Sequence, residues 1–285
     1  MILLTGATGF LGEFVLEELV KRGHEVTCLV RKTSNLDKIK RFNVKYIYGE
    51  LDDYKSICVA LKDKEALINI ASLGFGHAPN IVNACMEMNV NRAVFVSTTG
   101  IFTKLNPASK GIRLEAERLI KESNLDFSII RPTMIYGTPG DRNMWRLVKY
   151  LKRLPVLPIL GSGTYLQQPV YVKDLAIAIV SAYENNISVG KAYNISGAEP
   201  LTYNEVIDIT GRALGKKVIK IHIPMKLSYN LLKMYEKISK KPKLKAEQVL
   251  RLNENKDFSY DEAKRDLGYN PLSFEEGIKL EIEHA

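Results

Sequence analysis

The stretch Thr5-Gly6-Ala7-Thr8-Gly9-Phe10-Leu11-Gly12 limits the folds open to this chain more than any other feature. Three glycines recur at intervals of three, directly after the apolar run Ile2-Leu3-Leu4 and directly before a helical pattern over residues 10–22. Glycine suits each place for its own reason. One permits a sharp turn out of a strand, one lets main-chain amides approach a ligand, and one lets a helix pack close to the strand. The helix N-terminus offers unpaired N–H groups and the positive end of a dipole, which suits an anion and above all a pyrophosphate. In this strand–loop–helix setting the spacing points to dinucleotide binding; glycines alone would not.

The rhythm continues. Runs rich in β-branched residues recur at 25–30, 44–48, 66–70, 93–97 and 126–131, separated by helical patterns near 53–62, 79–89 and 111–123 and a fainter one near 35–41. Alternation at this pitch predicts a parallel sheet covered on both faces. Beyond Arg131-Pro132 the pattern breaks, and Pro155, Pro158, Gly161, Gly163 and Pro169 predict a loop-rich stretch. Helices at 174–184 and 203–214, strands near 192–195 and 218–222, and a mostly helical tail over 225–285 follow. The expected class is α/β, a Rossmann-type doubly wound parallel sheet with a smaller C-terminal substrate lobe. Residues 1–140 form the dinucleotide-binding domain, with about 165–200 returning to it, and 141–285 are mainly the lobe.

Lys and Arg outnumber Asp and Glu by 41 to 32. The surplus reads as spread along the chain, hence a solvated surface; no recognition motif accompanies it, so a nucleic-acid partner is not expected. Cys28, Cys58 and Cys85 lack metal or redox spacing and read as small buried hydrophobes in a reducing compartment, and His24, His77, His222 and His284 carry no metal pattern. No apolar run approaches a membrane span, and the chain opens on a strand rather than a basic leader, so a cytoplasmic protein without a metal is expected. The basic stretch 225–245, with Leu227, Leu231, Leu232, Met234, Tyr235 and Ile238, reads as a helix packing its apolar face on the sheet domain rather than on a membrane.

The second strand ends in Val30-Arg31-Lys32. An acid near this point bonds the ribose 2′-hydroxyl of NAD, whereas an arginine suits a 2′-phosphate. With the acid missing and two cations present, NADP is preferred over NAD.

Several segments in order resemble the extended and atypical short-chain dehydrogenase/reductase superfamily, in its epimerase/dehydratase branch. TGATGFLG matches its TGxxGxxG loop, and IYGELDD at 47–53 looks like its GDLxD segment, with Glu50 replacing the aspartate. NACMEMNVNRAVFVST at 83–98 resembles the helix and strand leading to an active-site hydroxyl, and IIRPTMIYG at 129–137 the segment beside the nicotinamide. QQPVYVKDLAIAI at 167–179 and FSYDEAKRDLGYNPLSFEEGI at 258–278 resemble the substrate-lobe helix start and the closing helix pair. The resemblance implies cofactor contacts from Gly6, Thr8, Gly9, Phe10, Leu11 and Gly12 in the loop, and from Arg31 and Lys32 after the second strand. Further contacts fall to Glu50 and Leu51, to Ala71 and Ser72, to Ser97 and Arg113, and to Pro132, Thr133 and Met134. It also implies a small-molecule or nucleotide-sugar substrate and a homodimer formed through the helices at 79–89 and 111–123.

One departure is marked. The family's proton chemistry rests on a Tyr-x-x-x-Lys pair; aligning Leu114-Glu115-Ala116-Glu117 with its helix puts Ser109 and Arg113 in those places, and no such pair occurs between 97 and 125. Tyrosine, with a pKa of about 10, can be tuned toward neutrality by a cation, a route an ordinary serine lacks without a partner base. Candidate donors are Thr98, Ser109 and Tyr136, with Lys104 nearby, each of which has a purely structural alternative. Arg142, Asn143 and Gln168 are candidate substrate contacts, and Asp174 is expected to cap its helix. Two functions stay open: an NAD(P)-binding oxidoreductase or epimerase/dehydratase-like protein acting on a small or nucleotide-linked sugar or carbonyl, and a non-catalytic NADP(H)-binding sensor or structural subunit.

Overall fold

Strand β1, Ile2–Thr5, is buried along its whole length and sits in the middle of a parallel sheet. The structure is a computed structural model and describes residues 1–105, 107–239, 250 and 253–283. After β1 come β2 (Val26–Val30), β3 (Lys45–Tyr48), β4 (Ala66–Asn69), β5 (Arg92–Val96) and β6 (Asp126–Pro132). The strand Lys191–Ile195 returns from the C-terminal half to pair with β6. The resulting order is Lys191–Ile195, β6, β5, β4, β1, β2, β3, with every neighbouring pair parallel. Because β2 and β4 flank β1 on opposite sides, chain direction across the sheet reverses there. A crevice opens outside the carboxyl ends of the strands at such a switch point.

Helices cover both faces. On one, α1 (Phe10–Lys21) and α7 (Val172–Glu184) bury Val15, Leu16, Leu19, Leu175 and Ile179 against the sheet residues Leu4, Ile68 and Val94. The short α2 (Asp37–Lys40) adds Ile39 to the same cluster. On the other face lie α3 (Tyr54–Leu61), α4 (Ala78–Glu87) and α5 (Ala108–Glu122), placing Ile57, Ile81 and Ile120 against Leu3, Leu67 and Phe95. A third cluster forms the C-terminal lobe from α6 (Met144–Arg153), α8 (Tyr203–Ala213) and the helix Phe274–Glu283.

The stretch after Pro132 is more regular than its prolines and glycines predict. Besides α6 it holds the strand Val156–Leu160, paired in parallel with Ile219–Ile223. The partner lies about sixty residues away, so local pattern cannot reveal it, and Pro158 is tolerated in so small a sheet. Asp174 does not cap α7: its carboxylate accepts from the Leu272 N–H at 2.9 Å and so ties the closing segment down. Asp141 serves α6 instead, accepting from the N–H groups of Asn143 and Trp145.

Glu281, on the helix Phe274–Glu283, is fully buried and neither carboxylate oxygen has a hydrogen-bond partner. Burial, with Asp141 as neighbour, pushes its carboxyl from the usual 4.5 up to about 9. The folded chain thus holds a proton that the unfolded chain releases, and this contribution is full below pH 4.5 and lost as pH rises through about 9. Glu281→Gln is expected to flatten that decline by roughly 1–3 kcal/mol. Parallel wild-type and variant Tm curves between pH 5 and 9 would refute the shift.

Candidate cofactor-binding site

The glycine loop takes the shape its spacing requires. Gly6 has φ +71°, where a side chain is strained, and its carbonyl accepts from the Gly9 N–H at 2.9 Å. A Cβ on Gly12 would lie 2.1 Å from the Gly6 carbonyl oxygen, so α1 packs on the loop only because residue 12 has none. Gly9 is the N-cap of α1 and no side chain caps it. The first turn, Phe10, Leu11 and Gly12, therefore presents its amides to whatever sits beyond the loop.

What lies beyond is a cavity of about 560 Å³ along the carboxyl ends of β1, β2, β4, β5 and β6. Gly6, Thr8, Gly9, Phe10, Leu11 and Gly12 form its floor. One end is walled by Arg31 and Ser34 after β2 and by Glu50, Leu51 and Asp52 after β3. That second loop is pinned: the Ser56 hydroxyl donates to the Glu50 carbonyl and accepts from the Glu50 N–H, while the Asn80 amide donates to the Leu51 and Asp52 carbonyls. Nearby cations are engaged elsewhere, Lys38 and Arg41 both pairing with Glu13. Lys32 is exposed and is not on the wall.

The other end is built by Ala71 and Ser72 after β4, Ser97 and Thr98 after β5, Pro132 and Thr133 at β6, and Arg113 from α5. Ser97 is 9% exposed, and its hydroxyl has no hydrogen-bond partner in the protein. A buried, unmatched hydroxyl on a cavity wall is costly unless a ligand engages it, and it fits the polar edge of a dinucleotide. Together with the glycine cradle and the uncapped helix, it makes the residues present a match for a nicotinamide dinucleotide. Thr98 accepts from the Gly100 N–H at 3.1 Å, and Thr133 donates to the Gln168 carbonyl at 2.5 Å. The Arg113 guanidinium lies against Gly74, where an added Cβ would come within 3.1 Å of it, and donates to the Ser109 hydroxyl at 2.7 Å. Arg131 pairs with the buried carboxylate of Glu117, which fixes α5 against β6.

Other sequence candidates lie elsewhere. Tyr136 is 1% exposed in the lobe core, its ring packed on Tyr171 and Phe274, and burial raises its hydroxyl well above the usual value. It has no route to a ligand in the cavity and is a core aromatic. Met134 is half-buried against the lobe cluster and is not on the wall. Arg142 and Asn143 are exposed and line neither the cofactor cavity nor the one beside it. Gln168 is a brace: its amide donates to the Gly197 carbonyl and accepts from the Phe258 N–H. Ser109 reaches the wall only through Arg113.

Residue-by-residue sequence reasoning missed His77, Phe75, Ser34 and Asp52, all on the wall. It also missed a second cavity, about 380 Å³, lined by Thr99, Phe102, Lys104, Tyr165, Asn255 and Phe258 among others. The segment 253–258 that closes it is held by Glu254, which accepts from the Thr103 hydroxyl and the Lys104 N–H, and by Asn255, which accepts from the Leu166 N–H. Thr98 lines the first cavity and its chain neighbour Thr99 the second.

Comparison with known proteins agrees with this geometry. A model described as NAD(P)H-binding matches residues 6–153, and one for the 3-beta hydroxysteroid dehydrogenase/isomerase family matches residues 102–225. A 2-alkyl-3-oxoalkanoate reductase of Stenotrophomonas maltophilia is 26% identical over 98% of this chain and 97% of its own. NADH dehydrogenase [ubiquinone] 1 alpha subcomplex subunit 9, mitochondrial, of Arabidopsis thaliana is 27% identical over 72% of this chain and 55% of its own. The UDP-glucose 4-epimerase of Thermotoga maritima, solved with UDP-glucose, superposes with a TM-score of 0.78 at 19% identity, covering 99% of this chain and 97% of that one. With the first of these models spanning more than half its length, this chain belongs to the NAD(P)H-binding family, within the extended and atypical short-chain dehydrogenase/reductase superfamily.

Proposed function

We propose that this chain is an NADP-dependent oxidoreductase, epimerase/dehydratase-like in build, that acts on a small or nucleotide-linked carbonyl or sugar without the Tyr/Lys pair. The observation that carries the reading is the unmatched, buried Ser97 hydroxyl on the wall of a cavity floored by helix amides. Residues 6–12 hold the diphosphate, Arg31 and Ser34 a 2′-phosphate, and Arg113 a ribose or phosphate oxygen. The nicotinamide supplies or accepts hydride when bound. Ser97, Pro132 and Thr133 would hold its ring, and the acceptor would enter from the second cavity, where Phe102 and Phe258 stand 5.6 Å apart between ring centres. Thr98, on the wall of the first cavity, hydrogen-bonds the substrate oxygen. Lys104 adds positive charge on the acceptor side, and Ser109, which lines neither cavity, accepts from Arg113 and holds that guanidinium on the wall. A homodimer forms through α4 and α5, where Ile112 and Leu114 are 43% and 44% exposed.

Calorimetry with NADPH and NADH, followed by a substrate screen read at the nicotinamide absorbance, tests the proposal. Thr98→Val combined with Lys104→Ala is expected to leave NADPH affinity within about threefold and lower turnover about a hundredfold or more. Undiminished turnover would remove these groups as the proton route. A second reading, a non-catalytic NADP(H)-binding sensor or structural subunit, draws on Ser109 and Arg113 standing where the resemblance puts tyrosine and lysine. The mitochondrial subunit among the relatives supports it too. It is favoured if the wild-type chain binds NADPH tightly and turns over no carbonyl or sugar in the screen.

A further inference from the structure

The positive charge of this chain is not spread along it. Ten lysines and one glutamate fall between residues 216 and 245, so of the 41 basic and 32 acidic residues the rest of the chain keeps 31 of each. The whole excess of +9 sits in thirty residues. Helix α9, Met225–Ile238, runs through this region. Its apolar face does not pack on the sheet domain as its sequence led one to expect: Leu227 is 51% exposed, Leu231 52%, Met234 60% and Ile238 79%. Spacings of four, three and four place these residues on one outward stripe. The inward side is supplied by Ser228, which is buried and donates to the Pro224 carbonyl at 3.2 Å, and by the half-buried Met225, Tyr229 and Leu232. Lys226 and Lys233 flank the stripe on exposed positions. Lysines 240, 241, 243 and 245 follow in the sequence, outside the described residues.

We propose that α9 docks this protein on the surface of an anionic lipid bilayer, its apolar stripe sunk at the level of the acyl boundary and its lysines among the headgroups. A helix with a bare apolar stripe and a cationic border has the two attractions that hold an interfacial helix, and each lysine near an anionic leaflet adds to the pull. The helix lies on the surface rather than crossing it: no described helix is long and apolar enough to span. A second copy of this chain fits the face poorly, because a symmetric contact would set lysines against lysines. Nucleic acid would use the charge but leave the stripe bare, and no arginine, the usual partner for base edges, lies between 216 and 245. The proposal is independent of the cofactor assignment.

Co-sedimentation of the full chain with vesicles of phosphatidylcholine alone, and with about 30 mol % phosphatidylglycerol, tests it. The anionic vesicles should bind at least about tenfold better, and the gain should shrink as salt rises from about 0.1 to 0.5 M. Leu231→Ser with Met234→Ser should lower binding to them about tenfold or more, and Lys226→Gln with Lys233→Gln several-fold. Leu227→Ser with Ile238→Ser serves as a second pair should the first melt below the wild type. Equal binding to both vesicles, or binding indifferent to both stripe pairs, would overturn the proposal. So would a lipid-free dimer that the stripe substitutions dissociate, or a structured RNA bound more tightly than the anionic vesicles.

Discussion

Gly12→Ala is expected to lower the affinity for NADPH and NADH alike by about a hundredfold or more, close to 3 kcal/mol. The new Cβ would stand 2.1 Å from the Gly6 carbonyl oxygen, 2.7 Å from its carbon and 2.8 Å from the Ala7 Cα. All three are backbone atoms, so no side chain can rotate away, and either the loop or the start of α1 must move. Overpacking of this kind costs about 1–3 kcal/mol in stability and sometimes more. The loss in binding comes on top of that, because the displaced atoms carry the amides that face the diphosphate. Two controls separate the causes. Gly9→Ala brings its Cβ to only 3.1 Å from the Gly6 oxygen and should be milder. Gly111→Ala, inside α5 with nothing within 4 Å of the added carbon, should leave affinity unchanged and stabilise the fold by about 0.5–1 kcal/mol. Calorimetry on the three variants, with melts in parallel, reads both effects. A Gly12→Ala chain binding within about threefold of wild type would show that the diphosphate does not rest on this loop.

The contrast between Gly12 and Tyr136 shows what a sequence of this kind discloses. Gly12 acts through atoms six residues away, and its role follows from strand, loop and helix in immediate succession. The parallel sheet was equally readable, since each strand candidate from 2–5 to 126–131 overlaps an observed strand. Tyr136 acts, or fails to act, through Tyr171, Phe274 and Gly277, more than a hundred residues away in the last two cases. Nothing near it in sequence says that its hydroxyl faces a core. Ser34, Asp52, Phe75 and His77 were findable by a general rule, since each follows the carboxyl end of a parallel strand and such loops face the crevice at the switch point. The second cavity was not, because the segment 253–258 reaches Thr103 and Leu166 by tertiary contact alone. The lysine cluster was legible throughout; a charge total hid what a count by segment displays.

Arg31→Ala is expected to weaken NADPH by about ten- to a hundredfold and NADH by no more than about threefold, the span of one lost charge-assisted contact of about 1.5–3 kcal/mol. The position supports this: Arg31 directly follows β2 on the cavity wall, where an acid would otherwise meet the ribose of NAD. The Ser34 N–H donates to the Arg31 carbonyl at 2.9 Å, closing a turn that brings the Ser34 hydroxyl to the same wall as a second phosphate donor. Opposing them are Glu50 and Asp52, which repel a 2′-phosphate but belong to the loop after β3. Two exposed carboxylates in water act across a screened distance of order a Debye length, about 10 Å at 0.1 M salt, whereas a bidentate guanidinium acts in contact. On the proposed NADP preference, the arginine outweighs the two carboxylates. Arg31→Asp should reverse it, restoring an acid for the 2′-hydroxyl of NADH while repelling the extra phosphate. If Arg31→Ala costs both cofactors equally, the guanidinium serves the diphosphate, and preference passes to the two carboxylates and to NADH.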